Sequence, residues 1–170
     1  MPSIVAANEQ IVWDALQELT DPEIPAISIV DLGIVRSVEL TVERVAVEIM
    51  PTFIACPAIG LIVAQVTERM REFAPVVDVR VTYAEQWTSE RITERGRECL
   101  RAAGYAPPVS APPPLDADGK LFRLTLLPVV PCPFCDARNT RLENPFGPTL
   151  CRAIYYCPSC RQPFEHFKAV

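Results

Sequence analysis

Val45-Ala46-Val47-Glu48-Ile49-Met50-Pro51-Thr52-Phe53-Ile54-Ala55-Cys56-Pro57-Ala58-Ile59-Gly60 changes its period in mid-course. Val45, Val47 and Ile49 alternate with Ala46 and Glu48, as in a half-buried strand. Beyond them Ile59, Ile62, Val63, Val66, Met70 and Phe73 recur at helical spacing. Pro57 suits the first helical position, where its missing N–H costs nothing. This reading predicts a strand that turns directly into a helix, with Cys56 at or near the N-cap. Unpaired backbone N–H groups and the positive end of the helix dipole stabilise a thiolate there, so Cys56 is a candidate nucleophile or metal ligand. The alternative is a thiol used as a small hydrophobe, which is the commoner fate of cysteine.

Working outward, a helix is predicted from about Asn8 to Leu19 with Ile11, Ala15, Leu16 and Leu19 as its apolar stripe. Asp21-Pro22-Glu23-Ile24-Pro25 must then be an acidic loop, since each proline fixes its own φ and restricts the residue before it. A turn at Asp31 to Gly33 leads into a strand from about Val35 to Thr41, and Glu43-Arg44 forms the hairpin tip before the strand Val45 to Met50. After the central helix, Pro75 marks a break. Val77, Val79, Val81 and Tyr83 alternate with Asp78, Arg80 and Thr82 as a third strand. A last helix is expected from Thr88 or Ser89 to Ala103, with Ile92, Cys99, Leu100 and Ala103 inward and Gly104 at its C-cap. The order is helix, strand, strand, helix, strand, helix: a small α+β domain over residues 1–104 with its helices on one face of a sheet. Residues 105–120 hold five prolines among Ser, Ala and Asp and read as an extended linker. Residues 121–170 form a second module, entered by a strand from Leu121 to Val130.

The second module carries the most specific signal. Cys132-Pro133-Phe134-Cys135 and Cys157-Pro158-Ser159-Cys160 are two knuckles that can aim four sulfurs at one ion, separated by 21 residues that hold a strand pair, Thr140 to Asn144 and Cys151 to Tyr156. The pattern reads as a four-cysteine zinc ribbon. Fifty residues make too small a core to be comfortable without a metal, so a structural zinc is expected to be part of the folding free energy. A single rubredoxin-like iron uses the same tetrahedral sulfurs and remains open. A closed shell of four thiolates leaves no position for catalysis. Outside the knuckles, Cys151 reads as a packed or interface thiol rather than a fifth ligand, and His166 as a solvated or packed side chain.

Composition narrows the function. The chain has 170 residues, 49% hydrophobic and 22% charged, and no apolar run near the roughly 20 residues that span a bilayer. Residues 1–8 lack a basic segment and an apolar core, so no signal peptide is expected and a cytoplasmic location is assumed. In a reducing compartment seven cysteines favour metal over disulfides. Residues 1–120 carry a net charge of −8 and residues 121–170 one of +3. Neither part offers the strongly basic face of a nucleic-acid binder, and a membrane partner is likewise not expected.

With these residues in view, the first module resembles the family of iron-sulfur cluster assembly factors that includes SufT and the eukaryotic cytosolic targeting factor. The likeness rests on Asp21-Pro22-Glu23-Ile24, on Ser28-Ile29-Val30-Asp31-Leu32-Gly33-Ile34-Val35, on Thr52 followed four residues later by Cys56-Pro57, and on Trp87-Thr88. Phe146-Gly147-Pro148-Thr149-Leu150-Cys151-Arg152-Ala153 and the tail Cys160 to Lys168 are similar to the small accessory subunits encoded with phenylacetyl-CoA epoxidase. The resemblance implies maturation of that system in phenylacetate degradation, with the oxygenase and reductase subunits as partners and no catalysis of its own. It makes Cys56 a ligand or transfer thiol for iron or a transient iron-sulfur cluster, and Asp31, Asp21 and Glu23 carboxylates of loops that meet it. Thr52 would hydrogen-bond near the sulfur. One thiol cannot hold a cluster that takes four protein ligands, so a homodimer, a client cysteine or a small thiol must supply the rest. The competing reading is a scaffold whose ribbon docks the epoxidase components while Cys56 is only structural. A thiol-dependent enzyme lacks an evident base, because His166, the sole histidine, lies in the other module.

Overall fold

The computed structural model describes residues 9–53, 56–109 and 129–169. The chain divides into two compact units, a first through Leu100 and a second from Arg101 to Ala169.

In the first unit, helix α1 (Glu9–Gln17) buries Val12, Ala15 and Leu16. Val12, not the expected Ile11, starts the inward stripe, and Ile11 is exposed. Steps of three and four residues from Val12 reach Ala15, Leu16 and Leu19, whereas Ile11 lies about 100° ahead of that face. Strands β1 (Val35–Leu40) and β2 (Arg44–Ile49) form an antiparallel hairpin with a register shift between Val35 and Ser37. Helix α2 (Ile59–Met70) crosses to β3 (Val76–Val81), which runs parallel to β2 and completes the order β1-β2-β3. Val45, Val47 and Ile49 are fully buried, and α1 packs on β1 and on α2, α2 on β3. Burying each such side chain stabilises the fold by about 1.5–3 kcal/mol. The α+β order of elements is the one expected.

Two helix boundaries differ from expectation. The N-cap of α2 is Ala58, so Cys56 and Pro57 belong to the turn ahead of the helix rather than to its first residues. The single last helix is instead a 3-10 turn (Ser89–Arg91), an extended Ile92, and α3 (Glu94–Ala102). Thr93 causes the break. Its Oγ1 accepts the Gly96 N–H at 3.0 Å as an N-cap does. Ile92 and Leu100 are buried as expected, but Cys99 is only half-buried and Ala103 is exposed. Gly104 does end the helix with φ +86°.

The second unit is a four-stranded sheet of order β4-β7-β6-β5, from β4 (Tyr105–Ala106), β5 (Arg141–Asn144), β6 (Arg152–Cys157) and β7 (Gln162–Phe167). Tyr105 and Ala106, expected to open the linker, pair in parallel with Glu165 and His166. Ala106, Val130, Ala153, Tyr155 and Phe164 form the core together with Cys132 and Cys157. Residues 110–120 of the expected linker and 121–128 of the expected entry strand lie outside the described residues, and Val129 and Val130 are not in a strand.

Candidate metal centre and thiol loop

Cys56 lies on the connection that leaves the carboxyl end of β2. The Met50 N–H donates to the Ile34 carbonyl at 2.8 Å, which ties the start of this connection to the turn before β1. Met50, Pro51 and Thr52 are buried; Cys56 is half-buried, its N–H donating to the Phe53 carbonyl at 3.1 Å. Because β1 runs antiparallel to β2, with Val35 opposite Ile49, the residue 28–34 turn reaches the same end of the sheet as Thr52 and Cys56. The fold thus brings the expected thiol and hydroxyl and the turn that holds Asp31 to one end of one sheet.

The Asp31 carboxylate there is already engaged. Asp31 is buried, and its Oδ1 accepts from Thr93 Oγ1 at 2.6 Å. Its Oδ2 accepts from Gln17 Nε2 at 2.6 Å, Ser28 Oγ at 3.0 Å and Arg95 Nε at 2.9 Å. Burial alone would raise the Asp31 carboxyl; the donors from Thr93, Arg95, Ser28 and Gln17 outweigh it and hold the group below the ordinary carboxylate value. Gly96 lets α3 approach: a Cβ there would come within 2.8 Å of the Asp31 carbonyl oxygen. Gly33 closes the same turn with φ +72°, where a Cβ would sit 2.6 Å from the Arg91 backbone. Trp87 is buried and donates its indole N–H to the Leu32 carbonyl at 3.1 Å. Asp21 Oδ1 accepts the N–H groups of Glu23 and Ile24 at 2.8 and 2.9 Å, which shapes the acidic loop; Glu23 is half-buried. Among the described residues, Asp21, Glu23 and Asp31 are not gathered with Cys56 into a metal-ligating group of three or more. Gln17, Thr93, Arg95 and Gly96 went unnoticed in the sequence. Only Thr93, three residues before Gly96 at a helix start, carried a signal.

The four knuckle sulfurs, by contrast, do converge. Those of Cys132, Cys135, Cys157 and Cys160 all lie within 4.8 Å of one another, with Cys132–Cys160 and Cys135–Cys157 each at 3.6 Å. A tetrahedral ion with metal–sulfur bonds near 2.3 Å sets sulfur–sulfur edges of about 3.8 Å. The knuckles are built alike. The Asp136 N–H returns to the Cys132 carbonyl at 2.9 Å and the Arg161 N–H to that of Cys157 at 2.8 Å. Asp136 and Arg161 both adopt the left-handed region, at φ 56° and 59°. The backbone N–H of Cys160 leads the groups that lower the Cys157 thiol to about 7, while burial chiefly drives the Cys160 thiol up to about 12. Holding all four sulfurs as thiolates so close together takes a cation. Cys151 stands apart, its sulfur 3.0 Å from Thr149 Oγ1. His166 is buried, with Nδ1 3.2 Å from the Ala106 carbonyl and its ring edge-on to Tyr155.

Comparison with known proteins matches each unit to a family. Residues 9–83 fit the family model described as iron-sulfur cluster assembly protein, and residues 117–168 that of the PaaD zinc beta ribbon domain. A protein of Escherichia coli (strain K12), named as the putative D component of 1,2-phenylacetyl-CoA epoxidase, is 37% identical over 161 residues, 94% of this chain and 92% of its own. A crystal structure of a domain of unknown function, DUF59, from Bacillus anthracis superposes with a TM-score of 0.51 at 26% identity, over 54% of this chain and 90% of that one. No helix of the described residues is long and apolar enough to cross a membrane.

Proposed function

The chain belongs to the PaaD family of 1,2-phenylacetyl-CoA epoxidase subunits, and from that premise we propose that it matures the epoxidase system, handing iron or an iron-sulfur cluster to the oxygenase or reductase through Cys56. One observation carries this reading. Cys56 is the only cysteine within residues 9–83, the span that matches iron-sulfur cluster assembly proteins. It sits half-buried at an end of the sheet rather than in the core. In the handover an incoming client thiol gives up its proton and bonds iron as the Cys56 thiolate leaves and takes up a proton, with no change in oxidation state. The client's thiols supply the ligands that one sulfur cannot. Asp31 and Asp21 shape the loops around Cys56, and Thr52 borders it.

The four-cysteine centre is read as a structural zinc site, held by Cys132, Cys135, Cys157 and Cys160. When bound, the ion neutralises thiolate charge and fixes the two knuckles. The system is taken to work in the cytoplasm. A second reading, a scaffold that docks the epoxidase components through the ribbon, draws on the exposed Phe134, Phe146 and Leu150 of the second unit.

Co-expression with the epoxidase components separates the two. Cys56→Ser is expected to leave zinc content and thermal unfolding unchanged and to abolish epoxidase activity. Full activity with that variant would favour the scaffold.

A further inference from the structure

β3 is the outer strand of the first sheet: β2 pairs with one edge, and among the described residues no strand pairs with the other. The Val76 N–H donates to the Glu43 carbonyl and the Thr82 N–H to that of Ile49. Residues 76, 78, 80 and 82 thus aim their backbone groups at β2, and Val77, Val79 and Val81 aim theirs outward. Such an edge is a template for another strand unless it is guarded. Here the register with β2 runs without a bulge and the strand holds neither proline nor lysine. On the core face Val77, Val79 and Val81 continue the row of Val45, Val47 and Ile49, yet they stay half-exposed where their β2 neighbours are fully buried.

We propose that this edge pairs with β3 of a second copy of the chain, antiparallel, about a two-fold axis at Val79. In that register Val79 faces its own copy, Val77 faces Val81, and Asp78 faces Arg80 twice. The Asp78–Arg80 pairs fall at non-hydrogen-bonded positions, where side chains approach closest. Sliding the register one way centres the axis on Asp78 and opposes two carboxylates; sliding it the other way opposes two Arg80 guanidiniums. Charge selects the central register. The second copy's valines then extend the half-exposed row. Because the two β3 strands run in opposite directions, the Cys56 connections lie at opposite ends of the joined sheet. The pairing therefore does not bring two Cys56 thiols to one cluster, and it stands independently of the maturation role.

Sedimentation velocity on the full chain, over a range of micromolar concentrations, is expected to show a reversible dimer. Arg80→Asp sets a carboxylate against Asp78 of the second copy and is expected to weaken the dimer by on the order of tenfold or more. Asp78→Arg is expected to do the same, and an equimolar mixture of the two variants to dimerise where neither does alone. Within the chain Asp78 pairs with both Arg44 and Arg80, so either charge variant can disturb its own strand. Val79→Pro removes only an outward N–H and covers that case, with a monomer of unchanged circular dichroism expected. A wild-type chain that stays monomeric throughout, or Arg80→Asp and Val79→Pro chains that dimerise as the wild type does, would overturn the proposal.

Discussion

Asp31 shows how one residue can be legible in place and not in role. The sequence put it in a turn, and the structure agrees. It did not show that four donors from three separate segments close on the carboxylate, because a hydrogen-bond partner 62 or 64 residues away leaves no mark on local pattern. Asp31→Asn is expected to destabilise the first unit by about 2 kcal/mol, the range for a hydrogen bond to a charged group, as read from urea unfolding followed by tryptophan fluorescence. The pH dependence has a definite sign. The folded state holds Asp31 below its ordinary value of 3.8, so the unfolded chain takes up the proton first. Its contribution is complete above that value and is lost as pH falls through it toward the folded value. The Asn variant should lose that part of the acid dependence. Cys56 was legible as a thiol just ahead of a helix, but its distance from that helix was not. Pro57 fits both a first helical residue and a turn just ahead of one.

Among the elements, α3 departs most from expectation, and Thr93 and Gly96 explain why. Thr93 caps the helix while its hydroxyl reaches Asp31, so the chain gives up a longer helix for a capped one docked against the turn. Thr93→Ala is expected to cost about 1–2 kcal/mol, measured by thermal unfolding. Gly96→Ala would gain about 1 kcal/mol of helix propensity in isolation. Here the added carbon meets the Asp31 backbone, which cannot give way cheaply, so a net loss is expected in the same measurement. The β2 valine pattern was legible because two-residue alternation and burial coincide in that strand, and β3 repeats the alternation beside it with its valines half-buried. β4 was not, since two residues ahead of a proline-rich stretch carry no periodicity. At the knuckles, Arg161→Gly relieves a side chain held at φ 59° and is expected to stabilise the metal-bound ribbon by up to about 1 kcal/mol.

For the whole molecule, the two units rest on different physics. The first is held by the apolar row of its sheet, its helices and the buried Trp87; the second has a small core of which Cys132 and Cys157 are themselves members. Removing the metal with a strong chelator, or replacing Cys132 or Cys157 by Ser, is expected to abolish hydrogen-exchange protection across β5, β6 and β7 while leaving that of β1, β2 and β3 in place. The four-cysteine ribbon was legible because its ligands are given by spacing alone. The Asp31 turn was legible only in part, since its supports come from α1 and from the start of α3, which meet it only in the fold. The central claim is that Cys56 hands over iron. It is tested most directly by following, anaerobically, the visible absorption of a cluster forming in the cluster-free reductase component after the chain, loaded with iron and sulfide, is added. The wild type is expected to build that cluster and Cys56→Ser, with its zinc intact, not to; a Cys56→Ser chain that builds it as fast as the wild type would contradict the handover.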